Sequence, residues 1–299
     1  MDIVPSRDPA RGKIVILTPG GANSPLTMQR FYSTANQYEE HLAAMQRMRG
    51  SLYLAEGALQ PHQISADGRH RLAVDERSWH VLALGANDEV VGCARYMAHD
   101  NTISFSKLGV CESALAMSAE WGSRLRRAVE SEIALARGLG IAYVEVGGWA
   151  ISPKFQNTLE ALRIALSAYS LARILGGCVG IGTVTQRHLS SSILRRIGGK
   201  SLISQGMELP PYFDPNYGCQ MEILSFLSSE PNPRYEVWIH DLQAYLLNTD
   251  VVPADVFGPS LKNLQASVGQ NHIPTILAAE TELSDLGDMH RPNTVIHSR

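Results

Sequence analysis

The stretch IAYVEVGGWAISPKFQNTLEALRIALSAYSLARILGGCVGIGTV, residues 141–184, decides the fold. It opens on a buried-strand pattern, 141–151, in which Glu145 is the one acid among otherwise apolar and glycine positions. Pro153 follows, and a strong helical pattern runs from about Asn157 to Leu175, where Gly176 and Gly177 close it. CVGIGTV, 178–184, is again a short apolar run of strand length. A strand, a helix and a strand in this order make a βαβ-like unit, with its two strands parallel.

Outward from this unit the pattern changes. Upstream, SWHVLAL (78–84) and VVGCARYM (90–97) flank the turn-forming cluster 85–89 and read as an antiparallel hairpin. Ser118–Gly140 reads as a helix with glycines at its end. Thr27–Leu54 reads as a longer one, because Tyr38, Leu42, Met45, Met48 and Leu52 recur at spacings of three and four and share a face. Lys13–Leu17 is strand-like. Downstream, 188–199 reads as a short helix stopped by two glycines, and QMEILSFL (220–227) as a last strong strand. Residues 230–299 are richer in Pro, Asn, Asp and Ser, with helical stretches at 235–247 and 275–287. The expected division is an N-terminal segment 1–26, a main domain 27–229, and a C-terminal extension 230–299 that is partly helical and ends in a mobile tail. The fold class is mixed α/β, with a mostly antiparallel central sheet flanked by helices.

Composition narrows the functional classes. Of 299 residues, 44% are hydrophobic and 18% charged, enough apolar surface for a sizeable core. A net charge of -3 lacks the basic footprint of a nucleic-acid binder. No apolar run reaches the roughly 18 residues of a membrane span, and the N-terminus has no apolar signal core. Cys93, Cys111, Cys178 and Cys219 are scattered, without ligand spacing, and read as reduced thiols of a cytoplasmic protein with no metal site. The glycines of 176–182 do not spell a dinucleotide fingerprint. Ser190–Ser192 lack a nucleophile-elbow context. Arg124, Arg126 and Arg127 suit a solvated helix face better than a docking site for an acidic carrier protein. The aromatic loop PPYFDPNYG (210–218) suits either a pocket wall or a packed turn.

Over about residues 27–228 the chain resembles the GCN5-related N-acetyltransferase (GNAT) superfamily. The hairpin ending in VVGCARYM looks like its second and third strands. EVGGWAI-S-P looks like its fourth strand and cofactor-binding turn, and VGIGTV with HLSSSILRRIGGKSL like its fifth strand and following helix. MQRMRGSLYLAEGAL and DERSWHVLALGANDEVVGCARYM resemble the acyl-homoserine-lactone-synthase and long-chain N-acyl-amino-acid-synthase branch. That resemblance implies an N-acyltransferase whose site is lined at Arg49, Asp75, Glu76, Arg95 and Glu145. It implies no permanently bound cofactor. The co-substrate would be an acyl-CoA or acyl-carrier-protein thioester, the partners a small-molecule amine acceptor and a carrier protein, with a homodimer allowed.

Three positions depart from the family pattern. Gly148 stands where lactone synthases carry a second arginine, which argues against an S-adenosylmethionine acceptor and lactone formation. Leu159 stands where the phosphate loop has glycine. Leu194 stands where many acetyltransferases have the tyrosine that protonates the leaving thiolate.

The chemistry assigns roles to these positions. A pantetheine arm is held by adding to a strand edge, for which 146–151 are placed: Val146, Gly147, Trp149 and Ile151 are the expected contacts. A phosphate suits free amides at a helix start, here 155–158 with Gln156, Asn157 and Thr158, and Lys154 adding charge. Backbone N–H groups of 147–150 suit a tetrahedral oxyanion. Glu145 suits the general base, with burial expected to raise its pKa. Arg49 or Arg95 suits an acceptor carboxylate; Arg49 equally suits a helix C-terminal cation, and Glu145 a structural acid. The alternatives are a GNAT-like sensor that binds an acyl thioester or metabolite without turnover, and an acyl-homoserine-lactone-type signal synthase.

Overall fold

The computed structural model describes residues 12–22, 28, 30–31, 36–156 and 158–254. In chain order these form β1 (Ile14–Thr18), β2 (Arg30–Phe31), α1 (Gln37–Ala55), β3 (Trp79–Leu84), β4 (Val90–His99), α2 (Gly122–Leu139), β5 (Ala142–Ile151), α3 (Glu160–Ile174), β6 (Cys178–Thr185), α4 (Ser190–Ile197), β7 (Lys200–Ser201), β8 (Ile203–Ser204), β9 (Met207–Glu208), β10 (Tyr212–Asp214), β11 (Cys219–Leu227), α5 (Glu236–Leu246) and β12 (Asp250–Pro253).

One sheet runs β10-β11-β6-β5-β4-β3-β1-β12-β2, with β7 also paired to β11. The pairs β1/β3, β3/β4, β4/β5, β6/β11, β10/β11 and β7/β11 are antiparallel, while β5/β6, β1/β12 and β2/β12 are parallel. This is the mixed, mostly antiparallel sheet expected, and the parallel pair β5/β6 is the predicted βαβ unit with α3 as its crossover.

Alternating residues divide the sheet into two faces. Ile14, Ile16, Val81, Tyr96 and Val144 bury themselves under α3 and α5. Val15, Leu17, Leu82, Leu84 and Cys93 pack under Leu42 and Met45 of α1. Tyr143, Val179, Ile181 and Ile223 pack under Leu125, Val129 and Ile133 of α2. The second face is therefore covered by two helices, α1 over one half and α2 over the other.

Several element ends differ from the sequence reading. The helix expected from Thr27 begins at Gln37, because the periodic apolar face begins only at Tyr38; upstream, Arg30–Phe31 pair with β12 instead. The helix expected from Ser118 begins at Gly122, since Ser118 is spent in a turn that accepts the Trp121 and Gly122 N–H groups. The helix expected from Asn157 begins at Glu160. Of the expected C-terminal extension, α5 packs on α3, where Ser170 Oγ donates to Ile239 O at 2.9 Å. β12 lies beside β1, so the central sheet contains residues from both ends of the described chain. The helix expected at 275–287 lies outside the described residues. Among the described residues no helix is long and apolar enough to cross a membrane.

Candidate active site

β5 organises the site. It pairs with β6 only over Ala142–Glu145 and with β4 along most of its length. Past Glu145 the β6-facing edge of β5 has no strand partner among the described residues, and the sheet forks. Gly182 on β6 permits the close approach at the crotch, since a Cβ there would sit 3.0 Å from Val146 O.

On its other edge β5 carries a bulge. Cys93 pairs with Ala150 and Arg95 with Gly147, so two steps on β4 span three on β5. The extra residue is accommodated at Gly148, whose φ of +59° lies in the left-handed region. Cys93 Sγ donates to Gly148 O at 3.1 Å, and Tyr53 Oη on α1 donates to Trp149 O at 3.3 Å. Both bulge carbonyls are thus tied down. A Cβ at Gly148 would lie 3.3 Å from Arg95 Cβ and 3.5 Å from Arg49 Nη1. Gly148→Ala is expected to cost roughly 1–2 kcal/mol through the left-handed strain and this crowding. Urea unfolding checks it, and an unchanged midpoint would refute the bulge geometry.

A buried ionic cluster lies behind the bulge. Arg49 and Asp75 both have fully buried side chains. They pair bidentately, Nη1 to Oδ1 at 3.0 Å and Nη2 to Oδ2 at 2.7 Å. Arg49 Nη2 also donates to His70 O, and Asp75 Oδ2 accepts from Gln46 Nε2 and the Leu72 N–H. Burial pushes the Asp75 carboxyl up, but the hydrogen bond and charge of Arg49 outweigh it and hold the group below the usual carboxylate range. Burial likewise acts to lower the Arg49 pKa, and the Asp75 bond reverses it. Arg95 stands at the edge of this cluster, with Nη1 3.6 Å from Asp75 Oδ1 and its side chain 17% exposed. Its Nε and Nη1 are buried without a hydrogen-bond partner among the described residues. The Arg49 fork is thus filled by Asp75 and His70 O, whereas Arg95, within ion-pair distance of Asp75, keeps two nitrogens without a hydrogen-bond partner among the described residues.

His80 on β3 sits opposite Arg95. Its Nε2 meets the Asp75 carbonyl at 2.8 Å, and a carbonyl only accepts, so Nε2 carries the proton and Nδ1 is bare. Burial, opposed by Asp75, lowers its pKa to about 4, and burial also lowers that of His70 to about 4. A histidine whose folded pKa lies below its unfolded value stays neutral while the unfolded chain takes up a proton. Stability is thus complete above pH 6.5 and is lost as pH falls toward 4. His80→Gln, which cannot titrate, is expected to remove about 2–3 kcal/mol of this acid-induced loss. Denaturant unfolding at pH 7 and pH 4.5 measures it; parallel losses in both proteins would refute it.

Glu145 lies at the last β5/β6 pair, beside the fork, with its side chain 18% exposed. Its side chain is largely but not fully buried. Its Oε1 accepts the Gly109 N–H at 2.7 Å and its Oε2 meets His99 Nε2 at 3.0 Å. Arg95, Met97 and His99 alternate along β4 on this face, all half-buried. His99 did not stand out in the sequence, although its spacing of four from Arg95 on a strand places both on one face.

The remaining expected positions are distributed as follows. Glu76 is exposed, on the short 3-10 turn Asp75–Arg77, and does not join the cluster. Val146 and Trp149 pack with the α3-side core, where the Trp149 indole Nε1 is buried without a partner among the described residues. Ile151 and Gly147 lie on β5 as expected. Lys154 and Gln156 are exposed, and Asn157 lies outside the described residues. Thr158 Oγ1 accepts the Glu160 N–H, using up one of the amides at the start of α3. Glu160 itself puts a carboxylate in that first turn, bound to the buried Arg163 at 2.7 Å, and Arg163 also donates to Gly12 O. Leu159 packs on the core rather than leaving an open approach. One amide and the nearest cation at the helix start are thus taken by the chain's own groups. Among the described residues no cluster of side chains has the makings of a metal site.

No protein-family model matches the sequence, and no curated protein matches it. Solved structures do resemble it at low identity. BjaI, a CoA-dependent acyl-homoserine lactone synthase solved with SAM and isopentyl-CoA, is 16% identical over 85% of this chain and 98% of its own, with a TM-score of 0.47. TofI, solved in a ternary complex with an inhibitor and MTA, is 15% identical over 72% of this chain and 91% of its own, with a TM-score of 0.45. FeeM, an N-acyl amino acid synthase from uncultured soil microbes, is 11% identical over 67% of this chain and 89% of its own, with a TM-score of 0.42.

Proposed function

We propose that this chain is an N-acyltransferase that moves an acyl group from a thioester donor, acyl-CoA or acyl-carrier protein, to the amine of a small acceptor bearing a carboxylate, such as an amino acid. One observation carries the reading. The free β5 edge past Glu145 opens beside an acid and an underused guanidinium on the same sheet face.

The donor's pantetheine amides extend the sheet at 146–151, as an added strand would. Backbone N–H groups around the Gly147–Gly148 bulge face the developing oxyanion, held rigid by the Cys93 and Tyr53 bonds. Arg95 takes the acceptor carboxylate, and Asp75, itself locked by Arg49, steadies it. An ammonium acceptor loses one proton to Glu145 and attacks the thioester carbon; the C–N bond forms and the C–S bond breaks. Leu194 on α4 offers no acid, so the second proton leaving nitrogen is the one that reaches sulfur. Because Glu160 and Thr158 fill the start of α3, the grip on the donor rests on the strand edge more than on a phosphate there.

A thiol-release assay tests the reading, with acyl-CoA and acyl-carrier protein offered against pooled amino acids and amines. Acceptor-dependent release is expected. A donor that raises the melting temperature but is never cleaved would move the chain to the sensor reading, which the self-filled α3 start favours. Release of methylthioadenosine from S-adenosylmethionine would restore the lactone reading that Gly148 opposes.

A further inference from the structure

We infer that His99 is a positioning residue for this reaction: with the Gly109 amide it fixes the Glu145 carboxylate at the fork in one orientation. The inference rests on the transferase reading above. Its ground is that Glu145 is held at both oxygens by groups from two different elements. Oε1 takes the Gly109 N–H at 2.7 Å, from the first residue of the 3-10 turn Gly109–Glu112. Oε2 takes His99 Nε2 at 3.0 Å, from β4. A carboxylate only accepts, so Nε2 carries the proton, and each oxygen keeps a second lone pair for the acceptor's ammonium. The His99 side chain is 8% exposed against 18% for Glu145, so the imidazole is the more buried of the two. The space for Gly109 is also matched: a Cβ there would come within 3.2 Å of Glu145 Oε1.

A free glutamate beside a fork would sample several rotamers, and a misplaced base loses rate steeply. The other ionisable groups around the pair do not compete. Burial pushes the Tyr143 phenol far up and raises the Cys111 thiol. Glu132 on α2 is bound to Ser225. Lys107 and Glu112 are exposed, and Arg95 lies four residues back along β4 beside Asp75.

The test compares wild type, His99→Gln, His99→Leu and Glu145→Gln for thiol release across pH 5.5–9. His99→Gln keeps an N–H donor within reach of Glu145 and is expected to hold kcat within about three-fold of wild type. His99→Leu is expected to lose on the order of ten-fold in kcat, with the donor KM unchanged. A histidine that only fills space would not separate glutamine from leucine in kcat at an unchanged KM. His99→Leu at wild-type kcat overturns the inference, as does His99→Gln falling as far as His99→Leu. Should His99→Leu not fold, His99→Ala supplied with imidazole replaces it: recovered rate supports the role, and no recovery overturns it. If wild type cleaves no donor, the transferase reading fails and His99 falls with it; if wild type turns over and His99→Leu matches it, only the positioning role fails.

Discussion

Arg49→Met is expected to destabilise the protein by about 3–5 kcal/mol, more than any other single change to the cluster behind the bulge. The loss is not the value of one salt bridge. Asp75 is fully buried and accepts four bonds from Arg49, Gln46 and the Leu72 amide, two of them from Arg49. Removing the guanidinium leaves a carboxylate in the interior with Arg95 at 3.6 Å as the nearest remaining cation. Methionine fills much of the volume, so the cost reports the stranded charge. The double variant Arg49→Met/Asp75→Leu removes that charge and is expected to be more stable than Arg49→Met alone. It should stay below wild type, because Gln46 Nε2 and the Leu72 N–H lose their acceptor. Urea unfolding of the three proteins at pH 7 checks this. If the two substitutions simply add, the pair is not the coupled buried unit described above.

The sequence made the local structure readable and left the long-range structure hidden. The 78–84 and 90–97 hairpin, the β5–α3–β6 unit and the glycine stops each depend on neighbours within a few residues, and each is found close to its expected bounds. β2 and β12 have two and four residues and no periodicity of their own. They are strands only because β1, some 235 positions before β12, offers β12 a parallel edge, and β12 in turn offers one to β2. The site divides the same way. Glu145 stood out as a lone acid in an apolar strand. Arg49 was nominated by resemblance, but nothing local predicts that its fork is spent on a carboxylate 26 residues away. Asp75 and Glu76 are adjacent in sequence, yet only Asp75 turns inward. At the start of α3, the phosphate-loop spacing could be read, but the capture of that helix start by Thr158, Glu160 and Arg163 could not.

Glu145→Gln is the substitution expected to cost most activity, on the order of 10²–10⁴ in kcat. Glutamine has nearly the same shape. Its amide oxygen can keep the bond from Gly109 or from His99, but its NH2 group must then face the other donor, so one of the two contacts is lost. The larger loss is chemical: an amide does not take a proton from an ammonium at neutral pH, while every other part of the site stays in place. Arg95 still meets the acceptor carboxylate and the β5 edge still takes the pantetheine arm, so KM for both substrates should change little. The loss should shrink as pH rises toward the acceptor's own pKa, where the free amine no longer needs the base. Steady-state thiol release at pH 7 and pH 9.5, with circular dichroism to confirm the fold, measures both effects. A rate loss that is equal at both pH values would mean that Glu145 holds the bulge or the substrate, and that the proton leaves by another route. An unchanged rate at pH 7 would remove Glu145 from the chemistry and leave the fork as a binding surface only.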